Sequence, residues 1–256
     1  MCLLLLAYKT HPKYPLIIAA NRDEFHNRPT APVAFWEDTP TVLAGRDLQR
    51  GGTWLGMTRQ GRIAMLTNYR EPFKSPISPL SRGLLVSQFL GEQSSPTNYL
   101  QQCMNRAGDY NGLNLIVGTV GELYYYSNRS KGLQTIVPGI HGLSNHLLNT
   151  PWPKVEKGKE ALQKLLLSSS LSTEDLFALL YNQTPVPDSE LPNTGVNLAW
   201  ERLLAPLFIV SMKYGTRCST LILVKNDGQV NFLERSFSPE KAIINTAHYT
   251  FSILPN

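Results

Sequence analysis

Met1-Cys2-Leu3-Leu4-Leu5-Leu6-Ala7-Tyr8 and Leu16-Ile17-Ile18-Ala19-Ala20-Asn21-Arg22-Asp23-Glu24 decide the reading of this chain. Leu3 to Tyr8 and Leu16 to Ala20 are apolar runs of strand length, and the Lys-Thr-His-Pro-Lys-Tyr-Pro segment between them is rich in turn formers. Together they read as a hairpin of two largely buried strands. A hairpin sets the start of one strand against the end of the other, so Cys2 is expected beside Asn21-Arg22-Asp23-Glu24.

Outward from that hairpin, further strands are expected at Thr41 to Ala44, Thr53 to Met57 after Gly51-Gly52, and Ile63 to Thr67 after Gln60-Gly61. Ser81 to Leu90 reads as a helix stopped by Gly91, and Thr97 to Met104 as a second, introduced by Ser95-Pro96. Strand character returns at Leu113 to Val120 and Glu122 to Ser127. Lys154 to Leu167 is helical in period, and Ser172 with Asp175 caps a helix reaching about Tyr181. Asn182 to Asn197 reads as a surface loop. Cys218 to Lys225 and Gln229 to Glu234 flank Asn226-Asp227-Gly228, a hairpin signal. Strands at both ends with two helical pairs between them predict an α+β layered protein, one domain over residues 1–256, rather than a βαβ parallel sheet.

The formal charge is +5, from 24 Lys+Arg against 19 Asp+Glu. The basic residues are scattered without aromatic interleaving, which fits a small anionic ligand better than nucleic acid. Cys2, Cys103 and Cys218 are few and widely spaced, arguing against a disulfide framework or a zinc knuckle and for a reducing compartment. The five histidines show no metal spacing, so no permanent metal is expected. The apolar opening lacks a preceding basic region and is broken by Tyr8, Lys9 and His11, so it is not read as a signal peptide. No segment approaches the roughly 20 apolar residues of a membrane span. The expected location is the cytoplasm.

Cys2 is the most informative position. Removal of Met1 would leave a cysteine whose own α-amine, with a reference pKa of about 7.7 to 8.0, takes the thiol proton near neutrality. The alternative is a small apolar residue that merely starts a buried strand. Arg22 is suited to a carboxylate or to orienting the thiol, and Asp23 to the α-ammonium; an ion cluster that stabilises a turn is equally compatible. Neighbouring residues of a strand face opposite ways, so Arg22 and Asp23 both reach Cys2 only where the strand has ended. Asn68 and Asn145 are candidate amide donors to an oxyanion, or else turn residues. Arg217, at a loop-to-strand junction, is either an anion clamp or a surface arginine.

These motifs add up to a resemblance. The sequence resembles the NRDE family, also called the transport and Golgi organisation 2 family, in Met1-Cys2, Leu16 to Phe25, Arg28-Pro29, Phe35-Trp36, Gly51 to Gly56 and Leu66-Thr67-Asn68-Tyr69. The likeness continues in Tyr110 to Ile116, Gly142 to Asn145, Thr150 to Lys154, Tyr214 to Arg217 and Glu234-Arg235-Ser236, in order and over nearly the whole chain.

The resemblance implies a four-layer αββα sandwich like that of N-terminal nucleophile (Ntn) hydrolases, with Cys2 at the end of a central strand. It also implies haem trafficking, with haem as transient cargo, and an association with lipid and acyl-CoA homeostasis. On that reading Asn21, Arg22, Glu24, Arg28 and Trp54 form the ligand site, and transient contact with a membrane or a haem protein follows. Related cysteine amide hydrolases, the penicillin V acylases and bile-salt hydrolases, imply an alternative: cleavage of an amide or thioester by Cys2, Arg22, Asp23, Asn68, Asn145 and Arg217. Those enzymes separate the early arginine from the aspartate by two residues, whereas here the two are adjacent.

Overall fold

The computed structural model describes residues 2–71, 80–168 and 170–254. In chain order, β1 (Cys2–Tyr8), β2 (Leu16–Phe25), β3 (Thr30–Phe35), β4 (Val42–Asp47), β5 (Leu55–Thr58) and β6 (Arg62–Asn68) precede α1 (Gly83–Gly91) and α2 (Pro96–Asn105). There follow β7 (Leu113–Thr119), β8 (Leu123–Ser127), β9 (Leu133–Thr135), β10 (Gly139–Leu143), α3 (Pro153–Leu166), α4 (Thr173–Leu180) and α5 (Leu198–Leu204). The chain closes with β11 (Tyr214–Val224), β12 (Gln229–Phe237) and β13 (Ile243–Ser252).

The strands form two antiparallel sheets, one in the order β10-β1-β2-β11-β12-β13 and the other running β3 through β9 in sequence. Alternation along each strand sends one set of side chains between the sheets and the other set outward. Leu4, Leu6, Ile18 and Ile222 meet Leu55, Met57, Met65 and Ile116 in the inter-sheet core. Leu3, Leu5, Ile17 and Leu221 face the other way, onto Val155, Leu162, Leu176 and Phe177 of α3 and α4. On the second sheet, Ala64, Leu115 and Val117 pack under Val86, Phe89 and Leu100 of α1 and α2. The layer order is therefore α-β-β-α. The unbroken apolar run Leu3 to Ala7 has its cause here, because β1 is buried on both faces.

Local chemistry sets the boundaries. Ser95 and Ser172 accept the backbone N–H groups of Asn98 and Asp175, while Pro96 and Pro153 occupy first helical positions where no N–H is needed. Gly228 turns between β11 and β12 at φ +81°, a conformation that favours glycine. The hairpins and the first four helices stand where the sequence predicts them; β3, β9, β10, α5 and the exposed edge strand β13 were not anticipated. One boundary is corrected: the strand expected over Leu16 to Ala20 continues to Phe25, so the reading of Asn21 to Glu24 as a turn cluster does not hold and they lie within β2. Its polar end is held by pairing with β1 through Arg22 and with β11 through Phe25, and ladder bonds do not depend on side-chain polarity. Among the described residues no helix is long and apolar enough to cross a membrane.

Candidate functional site

Cys2 opens β1 and lies opposite Arg22 of β2, so both side chains point between the sheets. The far side of Cys2 is secured by the segment that follows β10. Ser144 Oγ donates to the Cys2 carbonyl at 3.2 Å and also to Asn145 Oδ1 at 3.3 Å. Asn145 Nδ2 then donates to the Asn68 carbonyl at 2.9 Å, and the Arg70 N–H returns a bond to the Asn145 carbonyl at 2.8 Å. The ends of the two sheets are thereby laced together beside Cys2, and Asn68 lines the space next to it.

That space is a cavity of about 360 Å³ lined by Cys2, Arg22, Asp23, Asn68 and Trp54, with Arg28, Arg46, Arg50 and Arg82 around it. Glu24 and Asp47 are its other carboxylates. Arg28 is tied to Asp47 through Nε at 3.1 Å and Nη2 at 2.5 Å, and Arg46 to Asp38 at 2.6 Å. Arg82 donates through Nη1 to the Gly112 carbonyl at 2.8 Å. The walls are thus polar and cationic, suited to a small anionic molecule and not to a purely apolar one.

Asp23, the next residue of β2, points away from Arg22, toward the helical layer, and is also among the residues that line the cavity. It is wholly buried, with Oδ1 accepting from Thr216 Oγ1 at 2.7 Å. Burial pushes its carboxyl above the usual range, against the pull of the Lys154 ammonium. Burial likewise pushes the Lys154 amine down to about 8, with Asp23 opposing the shift, and Lys154 Nζ has no hydrogen-bond partner among the described residues. The Cys2 thiol is pushed up by burial, while Arg22 and the backbone N–H of Asp23 act to lower it. Burial thus acts against the charged form of the Cys2 thiol, the Asp23 carboxyl and the Lys154 amine alike.

The structure brings Cys2, Arg22, Asp23, Asn68, Glu24, Arg28 and Trp54 to one cavity. Three other expected residues lie elsewhere. Asn21 is wholly buried on the helical side, where Nδ2 donates to the Leu180 and Leu207 carbonyls and Oδ1 accepts from Ser219 Oγ. Asn145 is wholly buried in the lacing behind Cys2. Arg217 lines a neighbouring recess and holds the end of β2 through Nη1 bonds to the Phe25 and Arg28 carbonyls at 2.9 and 3.1 Å. Sequence reasoning missed Arg46, Asp47, Arg50, Arg82 and Lys154. For Lys154 a signal existed: it shares the buried stripe of α3 with Gly158 and Leu162, at four-residue spacing.

The sequence profile of the family described as "Transport and Golgi organisation 2" matches residues 1–239. The chain is similar to the "Transport and Golgi organization protein 2 homolog" of Homo sapiens, at 35% identity over 92% of this chain and 93% of that protein. It is 34% identical to the Mus musculus homolog, over 92% and 93% of the two chains. Against the Drosophila melanogaster protein the identity is 29%, over 93% of each. Among solved structures, it is similar to a Caenorhabditis elegans N-acylethanolamine-hydrolyzing acid amidase ortholog, with TM-score 0.48 and 11% identity over 87% of this chain and 92% of that one. A variant of the conjugated bile acid hydrolase from Clostridium perfringens gives TM-score 0.49 at 10% identity, over 100% and 98%. By the match across its length and by its mammalian relatives, this chain belongs to the Transport and Golgi organisation 2 family.

Proposed function

We propose that the protein is an N-terminal-cysteine hydrolase acting on an amide or thioester bond of a small anionic substrate. The observation that supports this best is the single cavity shared by Cys2, Arg22, Asp23 and Asn68 at the head of the first strand. On this reading Met1, which lies outside the described residues, is removed, and the new α-amine of Cys2 accepts the thiol proton as sulfur attacks the carbonyl carbon. The Asn68 amide stabilises the resulting oxyanion. Collapse expels the amine or thiol leaving group with the proton held by the α-ammonium. Water, deprotonated by the same amine, then cleaves the acyl-cysteine thioester and regenerates the thiol. Asp23 orients the α-amine, which is neutral at the acyl-enzyme stage and is an ammonium only while each tetrahedral intermediate stands.

A second reading, transient carriage of haem, is favoured by Arg22, Arg28 and Trp54 sharing that wall, which offers cations for two propionates and an aromatic face for the macrocycle. The described lining contains no histidine, so Cys2 would be its soft ligand. The polar character of the lining favours the hydrolase.

Two measurements separate the readings. Intact mass establishes whether Met1 is absent, and brief exposure to a panel of p-nitrophenyl esters and thioesters is followed by peptide mapping. The hydrolase predicts an acyl adduct on Cys2 that disappears with time. Retained Met1, or no adduct together with a saturable Soret shift on haem titration that Arg22→Ala weakens, sinks the enzyme and leaves the carrier.

A further inference from the structure

Cys2, Arg22, Cys218, Ser236 and Asn245 form a straight row across the first sheet, each paired with the next across β1, β2, β11, β12 and β13. Four strand spacings make the row about 19 Å long. The large cavity covers its Cys2 end. A second recess, of about 150 Å³, covers the rest and shares Arg22, Thr30, Gly45 and Trp54 with the first, so the two spaces meet at Arg22.

Arg22 at this junction is 6% exposed, and its Nη1 has no hydrogen-bond partner among the described residues. The nearby Glu234 does not supply one: its Oε1 accepts from the Val33 N–H at 2.9 Å and its Oε2 from Thr220 Oγ1 at 3.1 Å. Burying a guanidinium with a donor left over is costly unless a ligand completes it. Arg217 lines the same recess and stands close enough to Arg22 for the two charges to disfavour each other. It is the extra residue of a bulge in β11, where Thr216 opposes Asp23 and Cys218 opposes Arg22, and the bulge re-aims its side chain. Arg22 and Arg217 both line this recess, whose other walls combine apolar Pro32, Trp54 and Phe237 with polar Ser236, Asn245 and a Glu234 carboxylate already bonded to Val33 and Thr220; the two guanidinium groups match a planar anion at the end of a short chain.

We propose that the recess is a subsite for a carboxylate borne by the acyl part of the substrate, held between Arg22 and Arg217. The volume admits about five heavy atoms at roughly 30 Å³ each, a carboxylate and two methylenes. Arg22 is one strand spacing from Cys2, about 4.8 Å, so the scissile carbonyl of such a half-amide or half-thioester lies at the thiol. Placing that carbonyl rests on the hydrolase reading, whereas binding of the carboxylate does not.

The test is calorimetric titration of Cys2→Ala protein, which binds without turnover, with glutarate, neutral glutaramide and inorganic phosphate. Glutarate is expected to bind at least tenfold more tightly than glutaramide or phosphate. Adding Arg217→Gln is expected to weaken glutarate at least tenfold. Because Arg217 also clamps the end of β2, Ser236→Leu provides an independent variant that fills the recess and leaves the clamp alone; it too is expected to abolish glutarate binding, with melting temperature as the control for folding. Equal binding of glutarate and glutaramide, preference for phosphate, no glutarate binding, or full affinity in a folded Ser236→Leu protein each overturns the subsite. Since Cys2 is absent, those outcomes are independent of whether the wild-type protein forms an acyl-enzyme.

Discussion

Lys154, buried in the first turn of α3, is the strongest side-chain cation acting on the buried Asp23 carboxylate, ahead of the adjacent Arg22. A lysine at a helix N-terminus opposes the helix dipole, and its Nζ makes no hydrogen bond among the described residues. Burial outweighs the mutual attraction of the pair, lowering the amine and raising the acid. A lysine in the unfolded chain titrates near 10.4, against about 8 in the fold. Between those values the unfolded chain holds the extra proton, so this group's contribution to stability rises with pH from 8 to about 10.4. The change is on the order of 3 kcal/mol for a fully buried amine. Asp23 has the opposite sign, and its contribution falls as pH climbs through the acidic window above its unfolded pKa. Urea midpoints of wild type and Lys154→Met from pH 7 to 10.5 read the amine directly. The wild type is expected to gain on the variant above pH 8; parallel profiles would show that Lys154 titrates normally.

Thiol reactivity gives a second prediction. Burial raises Cys2, and Arg22 opposes the rise. Iodoacetamide should therefore label Cys2 slowly at pH 7 and faster as pH increases, since the thiolate is the nucleophile. Arg22→Ala should shift the rate profile of Cys2 to higher pH. Cys103, on the buried face of α2 and pushed up to about 11 by that burial, is the internal reference and should not respond. Peptide-resolved labelling measures both; an Arg22→Ala profile that overlays the wild type removes Arg22 from the electrostatics of the thiol.

Much of this was legible in the chain. The run Leu3 to Ala7 announces a strand covered on both faces, and the hairpin it forms with Leu16 to Ala20 by itself places Cys2 beside Arg22. Periodicity carries such information because burial imposes it locally. What the sequence conceals depends on register between distant strands. The alignment of Cys218 and Ser236 with Arg22 needs the β2–β11 pairing and its bulge at Arg217, and nothing local encodes either. Asn145 illustrates the same limit. Its polarity was readable, but its use in lacing two sheets, not in facing a ligand, is fixed by the tertiary position of Asn68 and Ser144.

The two asparagines should therefore separate by phenotype. Asn68 lines the cavity, so Asn68→Ala should leave the melting temperature nearly unchanged and, if its amide serves the oxyanion, lower turnover by about 10²- to 10³-fold. Asn145 is wholly buried, and Asn145→Ala strips partners from the Asn68 carbonyl and the Ser144 hydroxyl, costing about 1–3 kcal/mol of stability. Thermal unfolding with a turnover assay on each variant checks the split. A stable Asn145→Ala protein with wholly lost turnover would restore Asn145 as a direct participant.

Arg70 and Glu201 carry the last prediction. Their side chains are 6% and 5% exposed, and Arg70 Nη1 donates to Glu201 Oε2 at 2.7 Å. Glu201 Oε1 also accepts from the Thr194 N–H at 3.0 Å and its hydroxyl at 2.5 Å, so the pair fastens α5 and the preceding loop beside the lacing that Arg70 makes with Asn145. The Arg70 guanidinium lies over the Trp152 ring, 4.7 Å from its centroid, which covers it with aromatic surface. Breaking such a pair on one side leaves a buried charge without its partner, so Arg70→Met should destabilise by about 3–5 kcal/mol. Removing both charges spares that penalty, and Arg70→Met with Glu201→Leu should recover more than half of the loss. Denaturant unfolding of the two single variants and the double variant closes the cycle. If the losses simply add, the bond contributes no coupling energy, and the loop is held by the packing of Leu204 and Trp152 instead.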